Sequence, residues 1–119
     1  MSKLKIAKEI IKNYNLKSNI IYTDNINLGN YITDTDTIIL CKKYPNSKEF
    51  LLSLLHEIKH AIDCKKLGKR GYIKKYNQAS NLAINQGLNH YANNKWEIKA
   101  ERWAENNFKK WEHLIREGV

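Results

Sequence analysis

From Asn46 to Gly68 the chain carries one uninterrupted helical pattern that needs cover on two sides, and this need constrains the rest of the fold. Phe50, Leu51, Leu54, Leu55, Ile58, Ala61 and Ile62 recur at helical spacing and form a wide apolar stripe. His56 and His60 fall on the other side, together with Leu52 and Leu67, so a second layer is expected to close over the histidines. Asn46 or Ser47 can cap the start, Glu49 stands three residues after Asn46 as in a capping box, and Gly68 is placed to stop the helix. The pattern predicts a central helix with its histidines in a partly enclosed site.

The flanking segments supply the layers. Leu4, Ala7, Ile10, Ile11 and Tyr14 predict a first amphipathic helix of about three turns, ended by residues 15–19. Two β-rich runs follow, at residues 19–23 and 37–41, with a weaker one at residues 28–33. The Thr33-Asp34-Thr35-Asp36 cluster reads as a hairpin turn. A third helix is expected from Tyr72 to Tyr91, with Gly87 a point of interruption, and a fourth from Asn94 to Glu117. The order predicts an α+β fold: about four helices on a two- or three-stranded, mostly antiparallel sheet. At 119 residues, with no repeat, low-complexity tract or Gly- and Pro-rich linker, one domain over 1–119 is expected.

His56-Glu57-Ile58-Lys59-His60 is the stretch with chemistry in it. Residues four apart on a helix share a face, so the two imidazoles can meet one ion. Glu57 is offset by about 100°, off the ion but near a water bound there, where a general base belongs. A catalytic zinc usually takes three protein ligands, and the candidates for the third are His90, Glu97 and His113. The fourth helix favours Glu97. Its apolar positions, Trp96, Ala100, Trp103, Ala104, Phe108, Trp111 and Ile115, form a stripe, and Glu97 falls inside it. A carboxylate drawn into a core needs a cation, which two imidazoles and Zn²⁺ would provide. Asn94 and Glu97 also have capping-box spacing, which is the alternative role for Glu97. Glu101, one turn on, is expected to hydrogen-bond a ligand histidine. Tyr91 is the candidate oxyanion donor, with plain packing as its alternative.

These residues resemble the minimal zincin metallopeptidases, in particular the ImmA/IrrE-like proteins of phages and Gram-positive bacteria. The resemblance is carried by His56-Glu57-x-x-His60-Ala61 and by Glu97-x-x-Ala100-x-x-Trp103-Ala104, the latter similar to an E-x-x-A-x-x-F-A ligand helix. Thr37-Ile38-Ile39-Leu40 is similar to the strand that precedes such an active-site helix, so the likeness covers residues 30–108. It implies a small zincin-like domain in which His56, His60 and Glu97 bind Zn²⁺, Glu57 activates water and Glu101 orients a ligand. It also implies a protein or peptide substrate, with a transcriptional regulator among the candidates. No helix-turn-helix is visible, and Asn106-Asn107-Phe108-Lys109-Lys110 stands where the apolar and proline motif of the family is expected. The SprT-like proteases fit the basic charge but place a third histidine after the HExxH motif, where residues 67–72 have none.

Charge and composition bound the partners. Lys and Arg number 21 against 12 Asp and Glu, a net charge of +9 that favours anionic partners. The lysines are spread without a long run, so nucleic acid is admitted but not indicated. No stretch approaches the length of a membrane span and the first residues lack an apolar signal core, which predicts a cytoplasmic protein without a membrane partner. Cys41 and Cys64 lack metal or redox spacing and are expected to be reduced thiols. Peptide-bond hydrolysis is thus the leading expectation. The alternatives are a catalytically silent zincin-fold protein of a phage or mobile element acting through its basic surface, and a basic module without metal.

Overall fold

The run Thr37-Ile38-Ile39-Leu40-Cys41 has no polar face to turn to water, and the chain places it at the centre of its sheet. A computed structural model describes residues 2–24 and 29–116. In it the run is strand β3 (Thr37–Cys41), buried at four of five positions, between β1 (Asn19–Thr23) and β2 (Gly29–Ile32). The β2–β3 pair is the expected hairpin, antiparallel with Ile32 opposite Thr37. The β1–β3 pair is parallel, from Asn19 opposite Thr37 to Thr23 opposite Cys41. The sheet is therefore mixed, and the expectation of a mostly antiparallel one is corrected. A strand apolar on both faces needs partners on both edges, and the hairpin fills only one, so β1 takes the other.

The helices are α1 (Lys3–Asn13), α2 (Ser47–Leu67), α3 (Lys69–Asn85) and α4 (Lys95–Ile115), giving the α+β order predicted. Ser2 caps α1, and Asn15 ends it in the left-handed region at φ 58°. There the Leu16 and Asn15 amides bond back to the Ile11 and Lys12 carbonyls, a Schellman stop. Asn46, rather than Ser47, caps α2, its side-chain oxygen accepting from the Glu49 amide at 2.8 Å. The expected limits of the weak strand at Leu28 and of the fourth helix at Glu117 both lie outside the described residues.

The third helix starts and stops earlier than its expected Tyr72–Tyr91 span. Gly68, at φ 80°, is the single residue between α2 and α3, and the turn it makes lets helix resume at Lys69 without a side-chain cap. At the other end Gly87 adopts φ 73°, and the Gly87 and Leu88 amides bond to the Ile84 and Ala83 carbonyls. Gly87 thus terminates α3 rather than interrupting it.

Helix α2 lies against α3, α4, β2 and β3. Its Phe50, Leu51, Leu54, Leu55 and Ile58 are fully buried with Ile6 and Ile10 of α1, Ile38 and Leu40 of β3, and Trp111 and Leu114 of α4. Burying each such side chain contributes about 1.5–3 kcal/mol. The Trp111 indole N–H donates to the Tyr14 hydroxyl at 3.1 Å, tying the end of α1 to α4. With its apolar stripe fixed in this core, α2 presents its histidine side to α3 and α4. No helix among the described residues is long and apolar enough to cross a membrane.

Candidate metal centre

Three side chains from two helices converge. His56 and His60 occupy one face of α2, with their Nε2 atoms 3.2 Å apart. Oxygen Oε1 of Glu97 lies 2.8 Å from the first and 2.7 Å from the second. All three residues are buried, and their ligand-capable atoms lie within 4.8 Å of one another. Glu97 is held there because α4 begins just before it. Asn94 caps the helix with its side-chain oxygen on the Trp96 amide at 2.8 Å, which points the carboxylate of the first turn back at α2. Glu97 is therefore not the carboxylate of a capping box, the alternative its spacing with Asn94 leaves open. His90 and His113 are exposed and stand outside the group.

The far atoms of these side chains are also held. His56 Nδ1 faces Oε2 of Glu101 at 3.1 Å, the hydrogen-bond contact expected of Glu101. A carboxylate only accepts, so it holds a ring proton on Nδ1, and Nε2 is the nitrogen that would give up its proton to a metal. His60 Nδ1 faces the Tyr72 hydroxyl at 2.6 Å, and the Tyr76 hydroxyl donates to Oε2 of Glu97 in a short bond. Asn94, fully buried, also donates to the Tyr76 carbonyl at 3.1 Å and to Ser80 Oγ at 2.9 Å, joining α3 to the start of α4. Sequence reasoning misses Tyr72, Tyr76 and this role of Asn94. The signal is present in the tyrosine spacing, which is the same four residues as between the histidines and puts both on one face of α3.

The donor set suits a divalent cation. Lone pairs on two imidazole nitrogens and one carboxylate oxygen face a common point, and three carboxylates, Glu57, Glu97 and Glu101, surround only two histidines. Burial pushes the Glu97 carboxyl up, but the hydrogen bonds from His56 and His60 outweigh it and hold the group well below the usual carboxylate range. Burial pulls His56 down, and its bond to Glu97 with the charge of Glu57 more than reverses this. Protons thus hold the metal-free cluster together, and a cation would take their place. Removing the Tyr76 hydroxyl should loosen the carboxylate without touching the helix. Tyr76→Phe is expected to weaken metal affinity by about 10- to 100-fold, read by competition with a chromogenic chelator; an unchanged affinity would show that Tyr76 orients nothing.

Glu57 points elsewhere. It is 5% exposed, and desolvation pushes its carboxyl up to about 7, partly offset by His60 and His56. Strand β2 comes against it so closely that a Cβ added at Gly29 would stand 3.1 Å from Glu57 Oε2. Glu57, His60 and Glu97 open on a cleft of about 460 Å³, walled by Gly29, Tyr31, Tyr72 and Tyr76. Tyr91 stands at its mouth, half-exposed, in the turn between α3 and α4. Burial first, and the charge of Glu97 next, raise its phenol above the ordinary value, so it is a neutral donor over the physiological range. Sequence reasoning also misses Gly29, because closeness to a residue 28 positions away leaves no local mark. No protein-family model matches the chain, and neither does a curated protein or a solved structure.

Proposed function

We propose that the protein is a zinc-dependent metallopeptidase, as its resemblance to the minimal zincins implies. One observation carries the reading: a buried carboxylate, Glu57, opens on a cleft beside a buried His-His-Glu group. A carboxylate placed there can take a proton from a water and return it to a leaving group. His56 Nε2, His60 Nε2 and Glu97 Oε1 would hold the ion, the ligand set of a His₂Glu zinc enzyme. Zn²⁺ bound there would supply Lewis-acid polarisation of the scissile carbonyl and lower the pKa of a water.

The remaining steps belong to the chain. Glu57 takes the proton of the attacking water and delivers it to the leaving amine. Tyr91, at the mouth of the cleft, donates to the oxygen that gains charge in the transition state. Strand β2 is an edge strand whose far side carries no strand among the described residues, and Gly29 brings its backbone up to Glu57. An extended peptide added to that edge would lie across the catalytic carboxylate. Tyr72, Tyr76 and Glu101 keep the ligands in place while this happens.

The test is direct. Zinc-loaded protein is incubated with a mixture of unstructured peptides, and new amino termini are mapped by mass spectrometry. New termini that vanish on chelation are expected; a digest identical to the blank across the mixture overturns the reading.

A further inference from the structure

A second chamber of about 530 Å³ adjoins the cleft, and Tyr31 and Thr33 of β2 and its turn wall both. Three lysines from separate parts of the chain reach it: Lys17 after α1, Lys65 at the end of α2, and Lys69 at the start of α3. All three are exposed. Asp36 also lines the chamber, its Oδ1 accepting from Ser18 Oγ at 2.7 Å and from the Tyr31 hydroxyl at 2.7 Å, neutral donors that fix the carboxylate and leave its charge in place. Lys69 pairs with Asp34 at 2.9 Å, and Asp34 lies on the rim of the catalytic cleft. Lys65 donates to the Asn15 carbonyl, a neutral partner that leaves its charge unbalanced. With Lys69 paired to Asp34, Lys17 and Lys65 stand against the single charge of Asp36, so the chamber carries a net positive charge, and the Lys69–Asp34 pair spans the divide between it and the cleft.

We propose that this lysine chamber receives an acidic side chain of the peptide substrate, a specificity site at a distance from the scissile bond. The inference rests on the peptidase reading for the identity of its occupant. Strand β2 starts beside Glu57 at Gly29 and leads to Thr33. Four residues of strand span about 13 Å, so a peptide on its edge would carry the acid about four residues from the cleaved bond. In a peptide added antiparallel to β2, that is the amino-terminal side. The incoming carboxylate would take the place of Asp34 on Lys69 and be met by Lys17 and Lys65. An acidic peptide is favoured over nucleic acid because the chamber continues a cleft walled by a strand edge, which pairs with peptide backbone.

The test uses binding as well as turnover. Zinc-loaded Glu57→Gln protein is titrated with labelled short peptides that differ only in carrying Glu, Gln or Lys at the amino-terminal end, and binding is read by anisotropy. Glu is expected to bind best, roughly five- to tenfold tighter than Lys at low salt, with the difference lost near about 0.5 M salt. Lys17→Glu/Lys65→Glu should reverse the order, and Lys17→Glu alone, at a fully surface position, should weaken it. Equal binding of the three peptides, no binding of any, an order unchanged in both variants, or displacement of the peptide by a lower concentration of oligothymidine would overturn the proposal. The two readings separate cleanly. Preference for acid with no peptide cleaved by the native protein removes the peptidase reading alone, while cleavage without preference removes the lysine chamber alone.

Discussion

The protein is expected to bind one equivalent of Zn²⁺ and to lose it when His56, His60 or Glu97 is replaced. Two of the donors sit on α2 and the third on α4, so the ion links α2 to the first turn of α4, a contact that the unfolded chain cannot make. A ligand bound only by the folded state at about a thousand times its Kd stabilises by about 4 kcal/mol. For a chain of this length that is a rise in Tm on the order of 10 °C. Metal content by emission spectrometry and Tm with and without chelator read the two effects. Affinity should fall in acid, since the ion competes with the protons on the imidazoles, and the upward shift of His56 brings that fall to higher pH than for a free histidine. His60→Ala with full zinc content, or native protein whose Tm ignores zinc, would sink the metal centre. Glu97→Gln guards against misfolding as the cause, because it keeps the volume and both histidines.

Glu57→Gln should do two things at once. If Glu57 is the general base, peptide cleavage falls by about 10²- to 10⁴-fold while zinc content stays the same. The metal-free protein should also become more stable at neutral pH. The carboxyl of Glu57 is raised from 4.5 to about 7 by burial, so the folded state holds its proton more tightly than the unfolded state. The native protein therefore loses stability as pH rises from about 4.5 to about 7, and bears the full penalty above it. Each unit corresponds to about 1.4 kcal/mol, which makes the penalty about 3 kcal/mol. The difference between native and Glu57→Gln unfolding curves, taken from pH 5 to 8, reports this group together with its coupling to His56. A flat difference would mean that Glu57 is not desolvated. Undiminished cleavage by the variant would remove it as the base.

HEIKH and its spacing, the apolar stripe opposite it, and the misplaced carboxylate of Glu97 are legible in the order of residues alone, because helical periodicity turns position directly into direction. Asn46, Gly68 and Gly87 are legible as punctuation for a similar reason, although the sequence leaves open whether Gly87 interrupts α3 or ends it. Glu101 can be placed one turn after Glu97 by the same arithmetic. The parallel pairing of β1 with β3 cannot be read in this way, since the edge a strand takes depends on which partner remains unpaired once the hairpin has formed.

Tyr72 and Tyr76 show where local pattern runs out. Their spacing names a face of α3, but only the turn at Gly68 decides that this face meets His60 and Glu97. Gly29 and the lysine chamber depend still more on the fold, since they join residues from β2, the end of α1, and both sides of the α2–α3 joint. The sequence by itself determined the candidate ligands and the candidate base, because a helix repeats every 3.6 residues whatever surrounds it. Only the tertiary structure decided what orients them and what borders the cleft, because contacts between elements are set by how their apolar faces pack.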